Sequence, residues 1–356
     1  MSGFPIALPD ARLVPLRTAA SLRWGILAPG EIAGDFVHAL HVHTEQRVCA
    51  VGSRSSARAE AFARRHGIER SYGSYEQLVV DPGVDIVYVS SPNSEHRRLA
   101  IMAIEAGKHV LVEKPMAASA ADARAIATAA TGAGVFAMEA MWSAFLPQSS
   151  VIRALLDDGV LGRIAMLTAD FGADFTDEPG AIVFRPELAG GVLRDIGVYP
   201  LWFSSFALGP PTAVSAVGTV TDSGVDGQAA VVLGHRSGAQ SVLNTTMYAD
   251  TPTVASVSGD AARLEVDRPF LMPGGFTLFD ARRDRSLRWR DDSGLVGREG
   301  LAWQAVAVAQ HVADGLLESP VHPLEATVSI LETLDEALRQ VHRGATAPGL
   351  GHTAST

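Results

Sequence analysis

The stretch Arg23-Trp-Gly-Ile-Leu-Ala-Pro-Gly-Glu-Ile-Ala33 decides the fold, because it joins a short apolar segment to a helix start through a turn of small residues. In the glycine fingerprint of dinucleotide-binding folds, three small residues serve the tight turn, the approach of backbone to pyrophosphate, and helix–strand packing. Here Ala28, Gly30 and Ala33 occupy those positions, so alanine replaces two of the three glycines. Taken alone, the segment fits an ordinary turn equally well.

The position of this turn, after the first apolar strand and before an apolar helix, favours a cofactor loop. We assign to that loop Ala28, Pro29, Gly30, Ile32 and Ala33. Pro29 lacks an N–H group that could face phosphate. Because a carboxylate is repelled by pyrophosphate, we expect the side chain of Glu31 to point to solvent.

Downstream of the turn, short apolar segments alternate with helical ones as far as about residue 141. Strands this continuously apolar are covered on both faces, as in a parallel sheet wound by helices. Strands are expected at 24–27, 47–52, 86–90, 109–112 and 135–138, and helices near 32–43, 56–66, 94–106 and 118–133.

Beyond residue 147 the pattern changes to one helix, a strand, a loop containing glycine and proline, a second helix, and then strands in series. The helices are expected near 149–157, 193–208, 302–317 and 323–342, the loop at 172–191, and the extended segments at 163–171, 213–221, 228–235, 239–248, 253–258, 262–266 and 276–279. Strands without intervening helices indicate a mostly antiparallel sheet.

The predicted fold class is therefore α/β: an N-terminal Rossmann doubly wound parallel sheet, followed by an α+β domain with a large, mostly antiparallel open sheet. We expect a loose arm at 1–22, the dinucleotide-binding domain at 23–145, a substrate-binding and oligomerisation domain at 146–342, and a loose tail at 343–356. The last two helices are free to pack on either domain.

Composition narrows the function class. The 356 residues are 47% hydrophobic and carry a formal net charge of −10, which argues against nucleic acid or an anionic membrane surface as a partner. The single cysteine, Cys49, lies in an apolar run and forms no internal disulfide, which suits a reducing cytoplasm. We find neither a signal peptide nor an apolar span long enough to cross a bilayer, and we expect a cytoplasmic protein.

The end of the second strand bears on cofactor choice. It reads Gly52-Ser-Arg-Ser55, without the acidic residue that usually binds the ribose 2′-hydroxyl of NAD. Ser53, Arg54 and, one helical turn on, Arg58 are suited to a 2′-phosphate. A solvated arginine at a helix start is the alternative. We expect NADP(H) to be preferred, with NAD(H) possible.

A lysine leaves the carboxyl end of the predicted fourth strand, in His109-Val-Leu-Val-Glu-Lys-Pro115. Dinucleotide folds hold their ligands at this edge, and an ammonium placed there needs a partner or a chemical role. The turn after the third strand reaches the same edge. The candidate residues at this edge are Ser91, Pro92, Asn93, His96, Glu113 and Lys114. A role as a helix cap also explains Asn93. A histidine in the position of His96 usually lies on the helix surface, so we assign no catalytic role to His96.

Four segments together resemble one enzyme family, the glucose–fructose oxidoreductase/inositol dehydrogenase/rhizopine catabolism (Gfo/Idh/MocA) oxidoreductases. The segments are the cofactor loop, Ser91-Pro-Asn-Ser-Glu-His96, Glu113-Lys-Pro115 and Gly190-Gly-Val-Leu-Arg-Asp-Ile-Gly-Val-Tyr-Pro200. The similarity spans almost all of 23–340. A tyrosine at position 199 and the segment Glu139-Ala-Met-Trp-Ser-Ala-Phe-Leu-Pro147 resemble the dihydrodiol dehydrogenase-like branch most closely.

The resemblance implies that the candidate residues at the edge of the first sheet bind the cofactor, with Asn93 in contact with the nicotinamide ribose. It also implies that Lys114 and Tyr199 meet at the nicotinamide. Tyr199 is then the acid/base for hydride transfer at a hydroxyl or carbonyl, assisted by Lys114. A free tyrosine, with a pKa near ~10, is a poor base at pH 7, and we expect the nearby ammonium to lower that pKa. Asp195 lies four residues before Tyr199, so both share one helix face, and Asp195 is expected to orient the substrate or the lysine.

The pocket shows departures from the branch. Its members generally have arginine where Ala144 stands and a polar or basic residue near Ile182. Arg185 or Arg194 could compensate for these lost donors. Trp142 and Phe145 are candidate pocket walls, although plain packing explains them as well. The expected substrate is a sugar, keto-sugar, cyclic polyol or vicinal diol.

Two other functions share this scaffold: glycoside hydrolysis with a retained NAD, and a non-catalytic cofactor-bound sensor. Retention of Lys114, Asp195 and Tyr199 argues against the sensor. The histidines lack a convincing ligand arrangement, so no metal is predicted. Apolar alternation at 229–233 and 242–247 predicts a homodimer or homotetramer joined through the C-terminal sheet.

Overall fold

Six parallel strands form the first sheet of the computed structural model, which describes residues 4–17, 20–178, 180–282 and 284–344. The strands are β1 (Arg23–Leu27), β2 (Arg47–Gly52), β3 (Arg70–Tyr72), β4 (Ile86–Val89), β5 (His109–Val112) and β6 (Ala137–Glu139). Their order, β3-β2-β1-β4-β5-β6, is that of a Rossmann sheet. The prediction of this fold from the first strand and turn is confirmed.

Helices cover both faces of this sheet, because its central strands are apolar on both sides. Trp24, Ile26, Val87 and Leu111 are fully buried. The covering helices are α1 (Glu31–His43), α2 (Ser56–His66), α3 (Tyr75–Val79), α4 (His96–Glu105) and α5 (Ala120–Ala133).

The second sheet has eight strands in the order β14-β13-β12-β11-β7-β10-β9-β8. They are β7 (Ile164–Gly172), β8 (Pro211–Val220), β9 (Asp226–His235), β10 (Gln240–Thr246), β11 (Ala255–Gly259), β12 (Ala262–Val266), β13 (Gly275–Asp280) and β14 (Ser286–Arg290). All neighbours are antiparallel except β10 and β7, which run parallel. The prediction of a mostly antiparallel sheet is confirmed.

After residue 146, the described part of the chain forms the α-helices α6 (Pro147–Asp157), α7 (Val198–Leu208), α8 (Leu301–Ala313) and α9 (Leu324–Gly344). Helices α7 and α9 cover one face of the large sheet, whereas α8 packs on α1. Helix α9 joins the two domains, because Asp335 accepts the N–H of Ala120 at 2.9 Å and Gln340 accepts the N–H of Ala216 at 2.8 Å. No described helix has the length and apolar character needed to cross a membrane.

Three short elements, β3, α3 and β14, were not expected from the sequence. Strand β3 is only Arg-Ser-Tyr and is recognisable only by its pairing with β2. Strand β14 is a mostly exposed edge strand, whose Trp289 stacks on Phe276 of β13 at 5.8 Å between ring centroids. Pairing with a neighbour, rather than their own apolar pattern, stabilises both strands.

The N-terminal arm is not loose over its described part, which corrects the expectation for that segment. Phe4, Leu8 and Leu13 are partly buried and pack against the main core. The backbone N–H of Arg12 donates to Ser150 Oγ at 2.8 Å. Residues 1–3, 18–19 and 345–356, which fall in the predicted arm and tail, lie outside the described part of the chain.

Candidate active site

Lys114, in the first domain, contacts the second domain through its side chain. It follows β5 at the carboxyl edge of the first sheet, and its ammonium donates to the main-chain oxygen of Asp195 at 2.6 Å. Asp195 Oδ1 lies 3.3 Å from the same nitrogen, and the ring centroid of Tyr199 lies 5.3 Å from it. The structure thus brings together the three residues expected to be catalytic, although 81 residues separate Lys114 from Asp195.

A π-helical turn, Leu193–Gly197, precedes α7 where the sequence predicted one continuous α-helix from 193 to 208. In a π-helix a carbonyl accepts from the residue five positions on, and five positions after Asp195 stands Pro200, which has no N–H. The carbonyl of Asp195 therefore has no partner in that register. Its lone pairs are available to Lys114, which donates to it.

Tyr199, in the first turn of α7, is buried with 6% of its surface exposed. Its hydroxyl oxygen accepts a hydrogen bond from Trp142 Nε1 at 2.9 Å. The ring of Phe171 lies 5.9 Å away. Because the indole N–H occupies one lone pair and donates only, the phenolic proton is left to donate toward a further acceptor. Trp142 thus orients the tyrosine, a role that sequence reasoning missed.

The pKa of Tyr199 departs from its ordinary value in the direction opposite to that expected. Burial raises it, and the neighbouring Lys114 charge, which lowers it, does not outweigh burial. The expectation of a depressed tyrosine pKa is therefore wrong for this arrangement of groups. Burial lowers the pKa of Lys114, but Asp195, Tyr199 and Glu113 outweigh burial and hold that pKa above its ordinary value. The lysine remains an ammonium, and the tyrosine remains a proton donor at neutral pH.

Buried side chains hold the backbone on both sides of Lys114. Glu113 accepts a hydrogen bond from the Tyr88 hydroxyl and one from the N–H of Lys114 at 3.1 Å. Burial raises the pKa of both Glu113 and Tyr88. Glu139, at the end of β6, accepts the N–H of Met116 at 2.8 Å. These contacts limit the motion of the lysine, so Glu113 acts on the lysine loop rather than being free for a ligand.

Glu139 is itself held by the segment that leads into α9. His322 Nε2 lies 2.8 Å from Glu139 Oε2, and the Thr327 hydroxyl donates to the same oxygen at 3.1 Å. All three side chains are buried. Sequence reasoning missed this cluster, since His322 and Glu139 are 183 positions apart. In the sequence, the feature that could have indicated this cluster is Glu139, a charged residue at the end of an apolar strand.

His96 is buried, which corrects the expectation of a helix-surface histidine. Its Nδ1 lies 2.9 Å from the carbonyl oxygen of Pro115, and its Nε2 lies 2.8 Å from that of Ser91. The ring therefore connects the two loops at the carboxyl ends of β4 and β5. Pro92 leads into a short 3-10 turn that contains Asn93, whose amide donates to the carbonyl of Ala189 at 3.2 Å.

The loop between β1 and α1 fits a dinucleotide. Ala28 has a φ of 68°, a left-handed conformation that costs a non-glycine residue about 1–2 kcal/mol, so the tight turn is made at this position without glycine. A side chain at Gly30 would meet nothing within 4 Å, which leaves open space over the backbone. Helix α1 has no side-chain cap, so its first N–H groups, which include those of Ile32 and Ala33, are free to bind an anion.

The side chains predicted to select the cofactor lie around this loop. Arg54 is exposed at the end of β2, and Arg58 donates to the carbonyl of Pro29 at 3.3 Å. Ser53 is buried, and its hydroxyl accepts the N–H of Ser55 at 3.3 Å. Glu31 points to solvent as expected, with 85% of its side chain exposed and Arg298 at 2.9 Å. The residues that are present therefore fit a dinucleotide.

The expected pocket residues divide into two groups. Trp142 and Phe145 are buried in the 3-10 turn after β6, together with Ala144. The two arginines are engaged elsewhere: Arg185 pairs with Glu187 at 2.7 Å, and Arg194 Nε donates to the carbonyl of Ala118 at 3.0 Å. Neither contact replaces the donors lost at positions 144 and 182; Ile182 itself is half-exposed. Among the described residues, no group of three or more His, Cys, Asp or Glu could hold a metal ion.

Comparison with known proteins agrees with this geometry. Residues 22–141 match an oxidoreductase family with an NAD-binding Rossmann fold, and residues 150–265 match the GFO/IDH/MocA C-terminal domain. The trans-1,2-dihydrobenzene-1,2-diol dehydrogenase of Macaca fuscata fuscata is 34% identical over 92% of this chain and 98% of its own. The human enzyme of that name is 32% identical over the same shares.

Solved structures show the same architecture. A 3-ketoreductase from Actinomadura kijaniata, in complex with NADP and TDP-benzene, is 29% identical and has a TM-score of 0.79 over 91% of this chain and 98% of its own. A levoglucosan dehydrogenase in complex with NADH and levoglucosan has a TM-score of 0.82 over 91% and 98% of the two chains, at 18% identity. The chain therefore belongs to the GFO/IDH/MocA family and is an oxidoreductase built on an NAD-binding Rossmann fold.

Proposed function

We propose that this protein is an NADP-dependent dehydrogenase or reductase acting on a hydroxyl or carbonyl of a vicinal diol, sugar, keto-sugar or cyclic polyol. The observation that carries the proposal is the convergence of Lys114, Asp195 and Tyr199, with the lysine nitrogen 2.6 Å from the Asp195 carbonyl and 5.3 Å from the tyrosine ring centroid. The full-length relatives named as diol dehydrogenases support the substrate class.

Each residue has a separate task. When bound, the nicotinamide supplies or accepts the hydride. Tyr199 donates a proton to the developing alkoxide in reduction and removes it from the hydroxyl in oxidation. Lys114 keeps a positive charge beside that oxygen, which stabilises negative charge as it develops in a site poor in water. Asp195 holds the ammonium in place through its carbonyl and carboxylate oxygens. Trp142 orients the phenol.

The test of this function is a substrate screen. Purified protein is mixed with NADP⁺ or NAD⁺ and a panel of trans-diols, aldoses, anhydrosugars and inositols, and absorbance of the reduced nicotinamide is followed. The reverse reaction is screened with keto-sugars and a reduced cofactor. Turnover of a diol or sugar supports the proposal. Release of a leaving group without net change in the cofactor would instead indicate a glycoside hydrolase, and binding without turnover would indicate a sensor.

We expect NADPH to bind more tightly than NADH, because Arg54 replaces the acid that usually binds a 2′-hydroxyl. Arg54→Ala should weaken NADPH binding by roughly 1.5–3 kcal/mol, the contribution of a hydrogen bond to a charged group. The affinity for NADH should stay within about threefold. Fluorescence titration of both cofactors measures this. Arg64→Ala, on the exposed side of α2 beside Glu60, is the matched control. Equal affinities for both cofactors in the unmodified protein would contradict the expectation.

The raised pKa of Tyr199 predicts how the rate depends on pH. Oxidation needs the phenolate, whose population rises about tenfold per pH unit below the tyrosine pKa. Because burial raises that pKa, the rate constant for oxidation should still be rising at pH 9, whereas that for reduction should stay flat. Single-turnover rates between pH 6 and pH 10 check this. A plateau in oxidation beginning near pH 7 would show that the tyrosine pKa is depressed in the complex.

We propose that two copies pair through the open face of the large sheet. Across the central strands this face presents mostly small or apolar uncharged side chains, namely Met166, Thr168, Ala213, Ser215, Val217, Ala230, Val232, Val242, Asn244 and Ser256. The carboxylate of Asp170, on the same face of β7, accepts the backbone N–H groups of Thr253 and Val254. Val217 is 70% exposed and Val232 is 42% exposed. The chain carries a net charge of −10, so a face with few charges is a surface on which two copies meet with little repulsion.

Light scattering should give a multiple of the 37.4 kDa chain mass at micromolar concentration. Val232→Glu places a charge in the centre of the face and should shift the mass to that of one chain. Val296→Glu, at an exposed valine of the loop before α8, is the control and should leave the assembly unchanged. A monomer in the unmodified protein would contradict the proposed pairing.

We also propose a cytoplasmic location, because a chain with a single cysteine suits a reducing compartment.

A further inference from the structure

Asp226 is a buried carboxylate that the proposed chemistry does not use. It begins β9, and 1% of its surface is exposed. Among the described residues it has no ion-pair partner, and the Nε of Arg194 donates to the carbonyl of Ala118. Burial raises the pKa of Asp226 to about 6, although the charge of Arg194 acts to lower it. A buried carboxylate without a cation is costly, so its retention calls for a reason.

The side chain of Asp226 accepts a hydrogen bond from the start of the active-site helix. Oδ2 accepts the backbone N–H of Leu193 at 2.7 Å, and this contact is buried. Leu193 opens the π-helical turn that contains Asp195 and is followed by Tyr199. Backbone N–H groups in the first turn of a helix have no partner within the helix, and a carboxylate is a strong acceptor for them.

The other oxygen of Asp226 fixes the chain just before that turn. A side-chain Cβ at Gly191 would lie 2.0 Å from Oδ1, so the carboxylate packs directly against the glycine backbone. Gly191 also has a φ of 108°, which favours glycine. The carboxylate thus contacts both sides of the bend that directs the chain from the 172–191 loop into the catalytic helix.

Asp226 is well placed to act as a fixed point, because its own backbone is rigidly held. The preceding turn is closed by hydrogen bonds from Thr221 N–H to the Val225 carbonyl at 2.8 Å and from Gly224 N–H to the Thr221 carbonyl at 2.9 Å. On the helix side, Val192 and Ile196 join Val225 in a small apolar cluster. In such an environment a hydrogen bond to a charged acceptor is strong, since little water competes for it.

We infer that Asp226 is a positioning residue for the active site: by accepting the Leu193 N–H and packing against Gly191, it sets the place of the π-helical turn, and hence of the Asp195 carbonyl that holds Lys114 and of Tyr199. In the described part of the chain, no hydrogen bond or ion pair joins its side chain to the cofactor loop or to the three catalytic candidates. The inference rests on the proposed function for its effect on turnover. The geometric part stands independently of any substrate.

The test compares three variants. Asp226→Ala removes the acceptor, Asp226→Asn keeps an oxygen that can accept the Leu193 N–H, and Asp222→Ala changes an exposed aspartate of the preceding turn as the control. At pH 8, Asp226→Ala should lower kcat by about 10- to 100-fold, because a misplacement of about 1 Å costs up to ~10²-fold. KM and the NADPH Kd should stay within about threefold. Asp226→Asn should restore most of kcat, and Asp222→Ala should match the unmodified protein.

Hydrogen–deuterium exchange of the peptide covering 190–203 provides a readout that needs no substrate. Exchange should be at least fivefold faster in Asp226→Ala and unchanged in Asp226→Asn. If Asp226→Ala does not fold, Gly191→Ala disturbs the same contact from the helix side and should give the same loss of kcat and faster exchange. Unchanged exchange in Asp226→Ala, or a kcat within threefold of the unmodified protein, would overturn the inference. Absence of turnover in every protein, with faster exchange in Asp226→Ala, would remove the proposed function and leave the positioning role standing.

Discussion

Replacing Tyr199 by phenylalanine should lower the rate of hydride transfer by about 10²–10⁴-fold, the usual contribution of a general acid or base. The ring is buried and lies beside Phe171, so the variant should keep its fold and its cofactor affinity. It leaves the buried indole N–H of Trp142 without its acceptor, which should cost about 1–3 kcal/mol of stability. Single-turnover rates, cofactor titration and thermal melts separate these effects.

Tyr72→Phe is the control for that measurement. The hydroxyl of Tyr72 is also hydrogen-bonded, since it donates to the Asp81 carboxylate at 3.0 Å, but Tyr72 lies on the edge strand β3 away from the lysine. Its removal should leave the rate unchanged. If Tyr199→Phe stayed within a few-fold of the unmodified protein, the proton would have to come from Lys114 or from a bound water.

Replacing Lys114 by methionine should reduce the rate by a comparable factor, about 10²–10⁴-fold, because it removes the only positive charge within 5.3 Å of the tyrosine ring centre among the described contacts. The double variant with Tyr199→Phe should be little worse than either single one, since groups that act as a unit are strongly non-additive. Asp195→Asn should have a smaller effect, because the main-chain oxygen that holds the lysine at 2.6 Å is retained.

Lys108→Met is the matched control. Lys108 is also partly buried, and its ammonium donates to the main-chain oxygens of Asp81 and Val84 at 2.8 Å each. It lies, however, at the opposite end of β5 from Lys114. It should lower stability without changing the rate of hydride transfer. If the loss in rate of the double variant equalled the product of the two single losses, Lys114 and Tyr199 would act independently. That result would contradict the paired mechanism.

Much of the fold could be predicted from the sequence because its signals are local. The apolar runs of β1, β4 and β5 and the turn at Ala28–Gly30 lie within short windows, and each specifies its own backbone conformation. Their order along the chain then leaves few topologies, since parallel strands are joined by right-handed crossovers. The two strands that escaped prediction, β3 and β14, have too few apolar residues to show a period.

The residues of the candidate site could be named from the sequence, but their relations could not. The helical spacing of Asp195 and Tyr199 is local, whereas the contacts of Lys114 with Asp195 and of Trp142 with Tyr199 join positions 81 and 57 residues apart. The sequence also misled on His96, which has the pattern of a surface histidine and is buried between two loops.

The sequence by itself determined a Rossmann domain followed by an antiparallel sheet, and which lysine, aspartate and tyrosine to consider. Only the tertiary structure decided that the lysine nitrogen binds a carbonyl in a π-helical turn, that burial raises rather than lowers the tyrosine pKa, and that Glu139 and Asp226 accept the backbone N–H groups of Met116 and Leu193. The reason is physical: backbone conformation follows from neighbours in the chain, but burial and electrostatic environment depend on groups that only folding brings within a few ångströms.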